Sequence, residues 1–309
     1  MPARLRTGET IVDHATCLKL LTSLGLITTM LAIGLKVRWK EVLAAAKQAQ
    51  LVALALVANF LLVPAATVGL VWLYNPEPMI AAGFLLLSVC PGAPVGPLFA
   101  AIAKADVPAA IGLMVILAGL STMLSPLLLA ALLGRICPES DLQVSYLSIV
   151  QTLLVTQIVP MAIGVGVHER APRFTATIVG PLSIIANLLL LAVVMLLLVN
   201  QYETLASIRL RGWIGMSLLL AASLAIGWAC GGPRQATRAT LSLTTAVRNA
   251  AVGLVIVATS FAGTAAGTAV VAYALVSIFG TLGCAFLYGA WTTGTGQQSM
   301  NPTASSANR

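Results

Sequence analysis

The sequence predicts an all-α polytopic membrane protein with about nine transmembrane helices, two of them broken within the membrane. Three observations lead there. Of the 309 residues, 59% are hydrophobic and 8% are charged, whereas a soluble domain is about a quarter charged. The hydrophobic residues collect in long runs without strand-like alternation, and only helices or closed barrels satisfy their own backbone in lipid. Two of the runs are interrupted, one by prolines and glycines, the other by hydroxyls, an arginine and an asparagine. Seventeen basic and nine acidic residues cannot clothe a soluble surface of this size, which excludes a soluble enzyme, a nucleic-acid binder and a disordered chain.

The spans fall at roughly 16–36, 49–74, 78–104, 107–134, 146–168, 175–199, 209–230, 236–262 and 266–291. The polar breaks between them read KVRWKE, YNPEP, KAD, RICPESD, HERAPR, NQYETLASIRLR, GGPRQATR and FAGT. The domain layout is an extracytoplasmic segment over 1–15, a transmembrane domain over 16–291 and a disordered cytoplasmic tail over 292–309. The opening MPARLRTGETIVDHATC is too polar and acidic for a signal peptide. The tail GTGQQSMNPTASSANR is too poor in hydrophobic residues to fold alone.

Basic residues set the sidedness. With the N-terminus outside, the inner segments hold Lys36, Arg38, Lys40, Lys47, Lys104, Arg170, Arg173, Arg234, Arg238 and Arg309. The outer ones hold Arg4, Arg6, Lys19, Arg135, Arg209 and Arg211. Ten against six favours an N-out, C-in protein of the plasma (inner) membrane. The net charge of +8 therefore reads as loops facing the cytoplasm and the bilayer, not as a nucleic-acid footprint.

The third span carries Pro91, Gly92, Pro94, Gly96 and Pro97 within seven residues. Proline removes a backbone donor and clashes with the preceding turn, so this cluster breaks the helix into halves. Unwound backbone at membrane depth needs a protein or water lining, and half-helix ends at the midplane form solute sites in secondary transporters. The eighth span carries Thr237, Thr240, Ser242, Thr244, Thr245, Arg248 and Asn249. A mid-membrane arginine costs roughly 2.5–3.5 kcal/mol on insertion scales. All nine acids (Glu9, Asp13, Glu41, Glu77, Asp106, Glu139, Asp141, Glu169 and Glu203) fall in loops or at span ends. The counter-charge of Arg248 is then backbone carbonyls at a break, a bound anion, or Asp106. The two interrupted spans suggest an inverted repeat that crosses Pro94–Pro97 against Thr244–Asn249.

These residues carry a family resemblance. CPGAPVGPLFAAIAKADV resembles the bile acid/sodium symporter family's Cys-Pro-Gly-Gly, then Ser-Asn, then Ala-Lys-Gly-Asp-Val. The match rests on Cys90, Pro91, Gly92, Ala103, Lys104, Asp106 and Val107. NFLLVP, from Asn59 to Pro64, is similar to the family's Gln-Phe-x-x-Met-Pro, and QIVPMAIGVGVHER to its Leu-Pro-x-x-x-Gly element. TTAVRN, from Thr244 to Asn249, falls where the family has Glu-Thr-Gly-Met-Gln-Asn. The resemblance implies a core domain with two crossed broken helices, a separate panel domain, and secondary transport of a small organic anion by alternating access. With Arg248 pairing the anion and the two helix breaks forming the site, the expected substrate contacts are Arg248, Asn249, Thr244, Thr245, Pro94, Gly96, Pro97 and Asn59.

The departures point to an altered ion site. The family's sodium ions are held by side-chain oxygens, as hard cations require. At those positions this chain has Gly96 and Pro97 for Ser-Asn, Thr244 for Glu, and Arg248 for Gln. A fixed guanidinium opposes a cation at close range. Arg248 is therefore expected to replace the sodium charge, leaving no metal site and no cofactor. Moving an anion inward against an inside-negative potential costs roughly 2.3 kcal/mol per 100 mV, so uncoupled movement favours export or anion exchange. The alternatives are a sodium-coupled symporter with an altered ion site and a non-transporting sensor or scaffold. An enzyme is not expected, since no nucleophile, paired carboxylates or metal grouping sits at membrane depth. Cys17, Cys90, Cys137, Cys230 and Cys284 are scattered without metal-ligand spacing. Gln151, Gln157 and Asn187 are expected in helix–helix hydrogen bonds, and His14 and His168 at the surface.

Overall fold

The computed structural model describes residues 6–136, 145–200, 202–206 and 208–300. The first fourteen helices are α1 (Arg6–Lys36), α2 (Trp39–Lys47), α3 (Ala49–Val57), α4 (Val63–Tyr74), α5 (Pro78–Ser88), α6 (Gly96–Ile102), α7 (Val107–Ile136), α8 (Tyr146–Leu153), α9 (Val159–Arg170), α10 (Pro172–Asn200), α11 (Tyr202–Ala206), α12 (Leu210–Cys230), α13 (Gln235–Ala246) and α14 (Ala250–Ser260). The last is α15 (Ala265–Met300). Short π-helical turns, Ala58–Leu62 and Leu154–Ile158, join α3 to α4 and α8 to α9 into continuous spans. Among the described residues eight helical stretches are long and apolar enough to cross a membrane, and the shorter Pro78–Ser88 belongs to a broken crossing with α6. The protein is an all-α polytopic membrane protein; the eight stretches correspond to eight of the nine spans expected from hydropathy, and the expected span 78–104 is occupied by α5 and α6.

Two helices differ from the expected ends. The first starts at Arg6, well inside the polar lead of 1–15, and the last continues to Met300 where a disordered tail was expected from residue 292. Helix propagation from an anchored span adds one hydrogen bond per residue, so a polar extension does not stop it. Residues 1–5, Cys137–Val144 and 301–309 of the expected end segments and fourth break lie outside the described residues.

The crossings pack as two groups. Helix α1 lies along α9 and α10. The first of these contacts is glycine on glycine: a Cβ on Gly34 would sit 2.2 Å from the Met161 carbonyl oxygen, and one on Gly164 would sit 2.8 Å from the Gly34 Cα. Small residues of this kind let membrane helices approach closely. His168, expected at the surface, is half-buried and its Nδ1 pairs with the Leu35 carbonyl at the end of α1. The second group joins α12 to α13, α5 to α15, and α6 to both α7 and α13. Burial ranks the spans. In Gln235–Ser260, 94% of the central window is enclosed by protein, against 11% in Pro172–Leu196. The eighth span is thus the axis of the molecule, and the sixth faces outward. Short α2, whose backbone N–H at Trp39 donates to Glu169 (3.1 Å), packs on α7.

Candidate functional site

Both interrupted spans are unwound, and the unwound segments meet. In the third crossing the helix stops at Ser88 and resumes at Gly96. Gly92 turns the chain with φ +82°, a value that L side chains avoid. In the eighth crossing Val247–Asn249 separate α13 from α14. The Asn249 backbone N–H donates to the Cys90 carbonyl (2.9 Å), and its Nδ2 donates to the Gly92 carbonyl (3.3 Å). Its Oδ1 accepts from the Val252 N–H (3.3 Å), capping α14. One asparagine therefore satisfies freed backbone groups of both breaks, which at membrane depth would otherwise go unpaired. A Cβ on Gly96 would lie 3.2 Å from Thr244 Cγ2, so the second half-helix of the third crossing rests on Thr244.

Arg248 sits at this junction, just past the C-terminal end of α13, where the helix dipole favours a cation. It is 2% exposed and is the one buried charged side chain among the described residues. Its Nη1 donates to Asn59 Oδ1 (3.1 Å). Asn59, in the π turn Ala58–Leu62, donates from Nδ2 to the Ala55 carbonyl (2.9 Å) and to Thr245 Oγ1 (3.2 Å). Nε and Nη2 of Arg248 have no partner. These two atoms form the side-on fork of the guanidinium, the edge that grips a carboxylate or sulfate through parallel hydrogen bonds. The ionisable neighbours of the guanidinium are Tyr273 and Cys90. Asp106, one of the three counter-charges considered, is not its partner. That carboxylate accepts from the Ala109 N–H (3.0 Å), while the Asp106 N–H donates to Thr240 Oγ1 (2.9 Å) in the middle of α13. A neutral amide oxygen fills the role instead.

The structure thus brings Asn59, Thr245 and Arg248 into one hydrogen-bonded group, sets Asn249 across the two breaks and puts Thr244 against Gly96. Pro94 and Pro97 are half-buried in the turn and at the start of α6, and take no hydrogen bond from Thr244–Asn249 among the described residues. The oxygens of Asn59, Thr244, Thr245 and Gly92 all have protein partners.

Other groups near the breaks escaped the sequence reading. The Tyr273 hydroxyl and Ser223 Oγ are both buried and lie close enough to interact with each other. Their signal in the sequence is faint: a lone tyrosine and a lone serine inside apolar runs. On α7, Ser125 donates to the Val89 carbonyl at the first break, and Gln157 Nε2 donates to the Ala118 carbonyl and to Ser121 Oγ (3.3 Å). Gln157 is therefore in a helix–helix hydrogen bond, as expected. Gln151 and Asn187 are exposed.

Comparison with known proteins gives one strong match. The model of the sodium bile acid symporter family matches residues 23–208, which is more than half of the chain and includes the whole first break. The match ends before the second break, so Thr244–Asn249 lie beyond it. A search of curated proteins finds no match. The Cys-Pro-Gly break lies inside the matched region, and crossed unwound helices sit at the centre of an all-α membrane fold. On these grounds the chain belongs to the sodium bile acid symporter family of membrane transporters.

Proposed function

We propose that this protein is a secondary transporter that moves a small organic anion by alternating access, with Arg248 as the anion's partner and without the family's usual sodium sites. The single observation that carries this reading is the open edge of Arg248. A guanidinium buried to 2% exposure keeps Nε and Nη2 unpaired while Nη1 is held by Asn59. Buried donors without partners are costly, and an acid group of a solute completes them. Asn59, Thr244, Thr245, Asn249 and the half-helix ends around Pro94, Gly96 and Pro97 frame that position. Asn59 Oδ1 and Thr245 Oγ1 accept protein hydrogen bonds, and the neighbouring charge is positive. The basic-residue count supports an N-out, C-in protein of the plasma membrane. With no cation to drive it, anion movement runs outward or by exchange.

The test is a thermal-stability screen of the purified protein against organic carboxylates and sulfates, with and without Na⁺. The parent is expected to ignore Na⁺ and to be stabilised by an anionic hit, by about 2.7 kcal/mol at a hundred times its Kd. Arg248→Gln is expected to lose that hit. Without ligand the variant melts no lower than the parent, because an incompletely paired buried charge has been removed. A hit that binds Arg248→Gln equally well removes Arg248 from the site.

One observation favours a second reading, a sodium-coupled symporter with a shifted ion site. Ser121, Thr122 and Ser125 are fully buried on α7 beside the first break, and Thr122 Oγ1 and Gln157 Oε1 have no partner. Stabilisation of the parent by Na⁺ over K⁺, lost in Ser121→Ala, would select it.

A further inference from the structure

A cavity of about 700 Å³ opens at the Asn75 end of the molecule, among α4, α5, α12 and α15. Its size suits a drug-sized solute. Its mouth carries Arg209, Arg211 and one acid, Glu77, all exposed. Arg211 is fixed there, stacked 5.2 Å from the Tyr74 ring centre and donating to the Leu73 carbonyl (3.5 Å). Neither arginine pairs with a carboxylate among the described residues, so the mouth is net positive. The walls below are apolar, as at Leu70, Ile80 and Met216.

The four walls lead inward to the Arg248 group. On an α-helix, residues four apart share a face. Thr67 lines the cavity, and the buried residues one and two turns inward on that side are Val63 and Asn59. Leu219 lines it, and four residues on stands Ser223. Ala269 lines it, and four residues on stands Tyr273. Phe84 lines it, and four residues on stands Ser88, just before the break. Phe84, on the cavity wall, packs edge to face on Tyr273, with ring centres 6.0 Å apart. The buried Tyr273 hydroxyl in turn neighbours Ser223 Oγ and the guanidinium of Arg248.

We infer that this cavity is a vestibule that captures an organic anion with an apolar body, its acid head drawn by Arg209 and Arg211, and that the Phe84–Tyr273 pair is the barrier between vestibule and Arg248. The approach runs inside the group of helices that holds both breaks. The inference rests on the reading of Arg248 as the anion's seat for its inner end, but the vestibule stands on its own residues.

The test uses the full-length protein in nanodiscs, so that both faces are open and sidedness does not enter. Ile80→Cys and Leu70→Cys variants are labelled with sulfonatoethyl and trimethylammonioethyl methanethiosulfonate, against the parent's own cysteines as background. The anionic-to-cationic rate ratio, normalised to a free thiol, is expected to rise about ten-fold and to return to one in the Arg209→Gln/Arg211→Gln background. Sub-micellar octanesulfonate protects both positions, and octyltrimethylammonium does not. Ser223→Cys reacts only once Phe84→Ala is added. Arg248→Gln leaves the labelling of Ile80→Cys unchanged, so a lost anion hit with intact labelling faults the Arg248 reading and spares the vestibule. A ratio of one, equal protection by the two octyl probes, or reaction only with a membrane-soluble maleimide overturns the vestibule; the last result means a lipid-filled groove. Reaction of Ser223→Cys without Phe84→Ala overturns the barrier.

Discussion

Gly92→Ala lowers the stability of the purified protein by roughly 2–5 kcal/mol, the sum of two independent strains. The first is conformational. Gly92 has φ +82°, and a residue with a Cβ in left-handed backbone costs roughly 1–2 kcal/mol. The second is steric. The added Cβ would lie 2.6 Å from the Ala118 backbone N and 2.9 Å from its Cα. Backbone cannot step aside as a flexible side chain can, and overpacking of this kind costs roughly 1–3 kcal/mol. The displaced turn also carries the Gly92 carbonyl that receives Asn249 Nδ2, so the crossing itself is disturbed. Gly69→Ala is the control, since nothing lies within 4 Å of its Cβ and alanine is the better helix former. The readout is the melting midpoint and the monodisperse fraction after solubilisation. Equal melting of the two variants would show that the turn tolerates a side chain.

Asn249→Ala is expected to cost roughly 2–4 kcal/mol and to abolish transport together with stability. Alanine removes the α14 cap, worth ~1 kcal/mol, and leaves the buried Gly92 carbonyl without its donor at roughly 1–3 kcal/mol. Asn249→Ser separates the two, because serine caps a helix as well as asparagine does but does not extend an amide to Gly92. The serine variant should recover about the capping share and no more, measured as the melting midpoint in detergent. Full recovery by serine would mean that the bond across the breaks is energetically idle.

Much of the architecture was legible in the chain. Long unalternating runs define crossings because lipid leaves the backbone no other partner, and Pro91 to Pro97 mark an unwound segment because three missing donors cannot be absorbed in one helix. Arg248 stands out as a charge within an apolar run. Its partner does not, since Asn59 lies 189 positions away and the pairing exists only when the eighth span is wrapped by the others. Tyr273 and Ser223 were invisible for the same reason: a single polar atom in a hydrophobic helix is ordinary until its neighbours are known. The helical stretch beyond residue 291 was missed because composition reports what a segment does alone, not what it does when joined to a formed span. The Asp106 option failed on geometry, since the Asp106 loop fastens to Thr240 in the middle of α13, whereas Arg248 lies just past the C-terminal end of that helix.

The two π turns have a consequence for how such a protein tolerates change. Each is five residues long and each is followed at once by Val-Pro, at Val63–Pro64 and Val159–Pro160. A turn wound one residue wider holds a spare position inside an otherwise regular rod. Removing a residue from 60–62 would let the rod close into ordinary α-helix with its flanking faces still nearly in register, but without the widened turn that presents Asn59 to Arg248. The spare positions therefore act locally. They let one turn of a crossing be aimed at the breaks while the rest keeps its lipid or helix neighbours, without either constraint dictating the other.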